Sequence, residues 1–192
     1  EYKMLCLGAE GYVQFFSPMV PTGSVNSHLC MNRNTRRAVE ESEIINIAAG
    51  ACYEGYNGMI CTPVVLGSVP EEIKKAVNTA FEAMRLVEAQ MKPGVTSIEL
   101  YQIYMDYLKK TGYNQYCPYG SVHSLGLLEC EFPFFSANKP IEMKENMTIC
   151  TDVYFKGMPW GSFRLEDTFL ITSTGSERLT HHNEVVVPAM FQ

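Results

Sequence analysis

Between residues 70 and 91 the apolar positions Ile73, Ala76, Val77, Ala80, Phe81, Met84, Val87 and Met91 recur mainly at steps of three and four. That period lays one buried stripe along a helix. Pro70-Glu71-Glu72 opens it: proline lacks only an amide hydrogen that would be unpaired there, and the acids suit the positive helix end. Ser68 is the expected cap, and Lys92-Pro93-Gly94 ends the helix. Thr96-Ser-Ile-Glu99 has the form of a capping box, so a second helix starts there. It carries Leu100, Ile103, Tyr104, Tyr107 and Leu108 on one face, and Gly112 closes it. The methionines and tyrosines of both helices are most simply core.

Strands surround this helical pair. Residues 44–67 read as two strands turning through Glu54-Gly55, and an apolar run into Ala48-Ala-Gly-Ala51 fits a buried one. Residues 1–31 read as strand, loop, strand, and residues 32–37 as a polar connector. After Tyr113 strands are expected at about 120–130, 147–155, 162–172 and 177–187, with a polar connector at 138–146. No Gly/Ser or charged linker divides the chain. Residues 1–192 therefore form one unit. Its first half shows strands alone, and two similar halves would need two helices before residue 1.

With 192 residues, 46% of them hydrophobic and 19% charged, the chain is long enough for one good core. A net charge of −6, with no basic cluster larger than Arg36-Arg37, argues against nucleic acid as a partner. No apolar run reaches the length of a membrane span, and no signal peptide is visible. The seven cysteines are scattered without a Cys-x-x-Cys pair, a pattern of reduced thiols and hence of the cytoplasm.

The residues able to carry chemistry fall in three marks: His123-Ser-Leu-Gly-Leu-Leu-Glu-Cys130-Glu-Phe-Pro133, Thr151-Asp152, and Arg164-Leu-Glu166-Asp167-Thr168. A histidine with carboxylates binds a divalent cation or moves protons around an amide, and the spacing does not choose. An Arg-x-Glu-Asp strand is also compatible with an exposed face, and a lone histidine with the core. His28, after a Gly/Ser/Asn loop, is either held over a pocket or solvated. Cys130 is either a small buried hydrophobe or, with a base such as His123, a nucleophile.

Together these marks resemble the family of aminopeptidase P, prolidase, methionine aminopeptidase and creatinase. Residues 171–180 are similar to the family's closing hairpin. Residues 48–62 follow its frame of Asp-x-Gly, Gly-Tyr and Ser-Asp-Ile-Thr-Arg, with Ala48 and Met59 where the aspartates stand. The resemblance implies an α+β pita-bread fold with pseudo-twofold halves, each a helix pair plus sheet. The N-terminal helix pair is then missing, so the chain begins inside the domain, and a homodimer is expected.

In the family's metalloenzymes two aspartates, one histidine and two acids hold a metal pair. By resemblance these fall on Ala48, Met59, His123, Asp152 and Glu166. An alanine methyl cannot coordinate, and a thioether is a poor ligand for Mn²⁺ or Zn²⁺. No cofactor is therefore expected; the alternative is one divalent ion, Mn²⁺, Zn²⁺ or Co²⁺, on His123, Asp152 and Glu166. Creatinase implies C–N hydrolysis on this fold without metal. Transferred here, His28 and His123 are catalytic, and Asp152, Glu166 and Cys130 bind substrate. Asp152 is one methylene shorter than the family's usual glutamate, and Cys130 stands where many members have a second histidine. The expected activity is a metal-independent C–N hydrolase or lyase on a small amide, amidine or amino-acid derivative. The alternatives are a single-metal Xaa-Pro aminopeptidase or dipeptidase, and an inactive module that binds a peptide or protein.

Overall fold

Glu54 and Gly55 take φ values of 48° and 81°, the left-handed pair that a two-residue hairpin turn requires. The turn therefore fixes the register of β1 (Ile44–Tyr53) and β2 (Tyr56–Val65), from Tyr53 opposite Tyr56 to Ile44 opposite Val65. This is a computed structural model, and it describes residues 19–28 and 36–192. The strands expected before residue 17 and most of the connector at 32–37 lie outside the described residues. A four-residue helix, α1 (Gly23–Asn26), precedes the hairpin, and its flanks bridge to β1 through Met19 opposite Ala48 and Thr22 opposite Ile45.

The helical pair lies where the periodicity puts it. All eight stripe residues of α2 (Glu71–Glu88) and its C-terminal extension, from Ile73 to Met91, are buried. The expected cap is different. Pro70 occupies the N-cap without a side-chain hydrogen bond, because the Ser68 hydroxyl pairs with that of Ser42 at 3.0 Å. Helix α3 (Ser97–Thr111) has both halves of its capping box, and Gly112 ends it at φ 82°. Leu100, Tyr104 and Leu108 join the α2 stripe and the inner residues of the sheet in one core. Each such side chain contributes roughly 1.5–3 kcal/mol by leaving water.

The remaining strands are β3 (Val122–Ser124), β4 (Thr148–Met158), β5 (Gly161–Ile171) and β6 (Ser176–Arg178). They complete a sheet in the order β1-β2-β5-β4-β3, antiparallel throughout, with β6 also paired to β5. The strand expected at 120–130 stops at Ser124, because Gly126 and Leu128 turn their amides to the Leu128 carbonyl and the Glu131 carboxylate. The strand expected at 177–187 is corrected more sharply: after β6 the chain forms α4 (His182–Ala189). A Val185-Val-Val run favours strand locally, but a helical turn buries Asn183 and Val187 on one side. There the Asn183 amide donates to the carbonyls of Cys61 and Glu166 and to Asp167 Oδ2, and tertiary packing overrides propensity.

Candidate functional site

Alternate residues of a strand face the same side of a sheet, and antiparallel registers align them in rows. Met19 meets Ala48, Ala48 lies opposite Cys61, Cys61 opposite Glu166, and Glu166 opposite Asp152. The adjacent row runs through Thr168, Cys150 and His123. One face thus carries His123, Cys150, Asp152, Glu166 and Cys61 side by side, all buried except the half-buried His123.

His123 is tied at both ring nitrogens. Nδ1–H donates to the Ser124 carbonyl at 3.1 Å, and Nε2 lies 3.1 Å from Glu166 Oε1. Burial pushes the imidazole pKa down, but hydrogen bonds with Cys130 and Glu166 and the charge of Glu166 outweigh it, so the group sits well above its ordinary value. Burial also raises Glu166, and there the His123 hydrogen bond and charge win, leaving the carboxyl below its usual range. The carbonyl of Ser124 can only accept, so both directions describe an imidazolium against a carboxylate. The Cys61 thiol donates to the second oxygen, Glu166 Oε2, at 3.1 Å.

Asp152 is held by different partners. Its Oδ2 accepts from the Tyr119 hydroxyl at 2.7 Å, and its Oδ1 lies 3.2 Å from Arg164 Nε. Arg164 Nη2 in turn donates to the Tyr119 hydroxyl at 2.7 Å. Burial is the largest influence on Asp152 and raises its pKa in spite of the Arg164 charge.

A cavity of about 310 Å³ opens over these side chains. His123, Asp152, Arg164, Tyr119 and Glu129 line it with polar atoms, and Tyr101, Val122 and Phe135 with apolar ones. Ser121 lines it too, with a buried hydroxyl that has no hydrogen-bond partner among the described residues. Of the residues expected from sequence, His123, Asp152 and Cys130 line the cavity, whereas Glu166 reaches it through His123. His28 is placed apart: its Nδ1 pairs with Ser162 Oγ at 2.7 Å, and it is absent from the cavity lining. Sequence reasoning gave Arg164 no role of its own, although it opens the third mark, and passed over Tyr119, Ser121 and Cys150. For two of them a signal existed: Arg164 stands two residues from Glu166, and Cys150 two from Asp152, which on a strand means the same face.

The family described as Metallopeptidase family M24 matches residues 1–173. The chain belongs to the M24 metallopeptidase family. It is 32% identical over 180 residues to an Xaa-Pro dipeptidase of Pyrococcus horikoshii, covering 94% of this chain and 50% of that protein. The solved prolidase from Pyrococcus furiosus matches with a TM-score of 0.87 at 32% identity, covering 94% of this chain and 52% of that one. An X-Pro aminopeptidase from Thermotoga maritima matches with a TM-score of 0.86 at 27% identity, covering 94% and 50%. The fold is the pita-bread fold of these M24 neighbours, and the chain spans about half the length of the curated relatives it matches.

At Ala48 and Met59, two of the positions where the resemblance places metal ligands, the side chains pack with Met19, Cys61, Leu125 and Cys150 in one buried apolar cluster. An alanine methyl cannot coordinate a metal, and a thioether is a poor ligand for hard ions. No helix among the described residues is long and apolar enough to cross a membrane.

Proposed function

We propose that this chain carries the substrate cavity of an Xaa-Pro-type peptidase that hydrolyses the C–N bond of a short peptide. The supporting observation is the cavity over His123, with a polar side at Asp152 and Arg164 and an apolar side at Tyr101, Val122 and Phe135. About 310 Å³ lies at the small end of ligand pockets and suits a dipeptide. The apolar side accepts a pyrrolidine ring, while the buried Ser121 hydroxyl offers an unused donor to a substrate oxygen. His123 hands a proton to the leaving nitrogen, and Glu166 holds the imidazolium in place for that transfer. The names of the relatives favour a peptide over the small amidine of a creatinase-like enzyme. A homodimer and a cytoplasmic location belong to the same proposal.

One observation favours a second reading, a peptide-binding module without turnover: the apolar packing of Ala48 and Met59. The test offers Ala-Pro and Ala-Leu to the full-length protein. Release of proline, lowered about 10²–10⁴-fold in kcat by His123→Gln, is expected of the enzyme. Saturable binding of Ala-Pro with no hydrolysis under any added divalent ion establishes the module instead.

A further inference from the structure

We infer that Ser121 and Asp152 form a two-point clamp for an α-aminoacyl group, with Asp152 Oδ1 taking the free ammonium and the Ser121 hydroxyl donating to the acyl oxygen. The Asp152 amide donates to the Ser121 carbonyl at 2.8 Å, which continues the β3–β4 register beyond Val122 opposite Thr151. The two residues are therefore a cross-strand pair, and Ser121 stands two positions before His123, on the same face of the sheet. Cβ atoms so paired lie about 4.5–5.5 Å apart. Both side chains line the cavity, at 2% and 5% exposure, and among the described residues Ser121 Oγ and Asp152 Oδ1 have no hydrogen-bond partner. A buried polar atom without a partner costs stability, so two of them side by side at a cavity mark a place where a ligand supplies the missing bonds.

The chemistry of the pair selects the ligand. A carboxylate oxygen only accepts, and the serine hydroxyl is the donor left over. Tyr119 donates to Asp152 Oδ2, and Arg164 Nε lies 3.2 Å from Oδ1, close enough for charge attraction; Oδ1 still accepts no hydrogen bond and stays open to a ligand N–H. Three carboxyls, those of Asp152, Glu166 and Glu129, stand in or beside the cavity against two cations, His123 and Arg164, so a cationic group is drawn in and a further carboxylate is repelled. An α-aminoacyl group meets both demands, because its ammonium and its acyl oxygen eclipse one another across a single Cα–C bond. This inference rests on the peptidase reading above and names the oxygen that Ser121 meets. In that reading water adds its oxygen to the acyl carbon, and the π pair moves onto the acyl oxygen, where the Ser121 bond strengthens. The C–N bond then breaks with its pair on nitrogen. His123 supplies that nitrogen's proton and regains one from the water, and the new acid keeps the other.

Alaninamide binding tests the clamp, and proline release from Ala-Pro tests the peptidase reading, so the two fail separately. With the full-length protein, calorimetry should show alaninamide binding about tenfold or more tighter than propanamide, which lacks the ammonium, and than N-acetylalaninamide, in which it is blocked. This comparison needs no variant. Asp152→Asn should abolish the preference. Ser121→Ala should weaken alaninamide about fivefold and lower kcat on Ala-Pro about 10²–10³-fold, with KM changed far less than kcat. Removing an unpaired hydroxyl should leave the melting temperature unchanged or higher, whereas loss of a structural serine would lower it. Equal binding of alaninamide and propanamide, as for a niche that holds only water, or binding of neither, overturns the inference. So does a Ser121→Ala variant that matches the natural protein in affinity and turnover, or one that melts lower.

Discussion

Arg164 gathers several side chains of the cavity described above. Its guanidinium pairs with Asp152, donates to Tyr119 and lies over the rings of Tyr154 and Tyr119 at 5.3 and 5.9 Å. Both members of the ion pair are less than one-tenth exposed. Removing one partner of such a pair strands the other charge in a medium that cannot solvate it. Arg164→Met is therefore expected to destabilise the protein by about 3–5 kcal/mol, read as a lower denaturant midpoint at unchanged slope. Adding Asp152→Asn to it should restore part of that loss; a double variant no more stable than the single one would show that the pair is not what Arg164 contributes. At this scale the sequence was half legible. His123, Asp152 and Glu166 announce themselves as titratable groups in apolar strands. Cys150, by contrast, reads as an ordinary core residue, and only the strand register sets it opposite His123, 27 positions away. The loop context of His28 could not reveal that its ring pairs with Ser162.

The elements were the most legible level wherever a local rule governs them. Helix α3 has its start written in Thr96 and Glu99, and the structure shows the reciprocal bonds: Thr96 N–H to Glu99 Oε2 at 2.8 Å, and Glu99 N–H to Thr96 Oγ1 at 3.4 Å. Thr96→Ala should cost about 0.5–2 kcal/mol. The Thr96 hydroxyl, then the Thr96 amide, hold the Glu99 carboxyl below its ordinary pKa. A folded-state value below the unfolded one means stability that is present above the ordinary carboxyl range and is lost as pH falls through the depressed value. The stability gap between the natural protein and Glu99→Gln should accordingly narrow as the solution is acidified from neutrality. A gap that stays constant in thermal melts across that range would rule out the carboxylate as the cap. Where tertiary demand competes with local preference, legibility ended. Ser68 was lost as a cap to Ser42, and Val185-Val-Val became part of α4 because Asn183 had three acceptors to reach behind β2 and β5.

Across the whole molecule, one arginine joins parts that no local pattern could connect. Arg178 on β6 binds Asp167 on β5 and Glu88 on α2, and its guanidinium covers Phe169 at 4.7 Å. Its side chain is only 6% exposed, so Arg178→Met should cost about 3–5 kcal/mol. Hydrogen exchange should show β6 and α4 losing protection before the β1–β2 ladder does, and uniform loss would mean that the arginine stabilises only the global fold. Strand order was not legible at all, because nothing in residues 161–171 names β2 and β4 as their neighbours. The placement of β5 has a consequence for how the sheet is put together. It follows β1 to β4 in the chain, yet it fills the middle of the sheet. Until it docks, β2 and β4 each present an open edge, the kind of edge that pairs with other chains. Its docking closes both edges and sets Glu166 between Cys61 and Asp152, so the sheet and the floor of the cavity are completed in the same step.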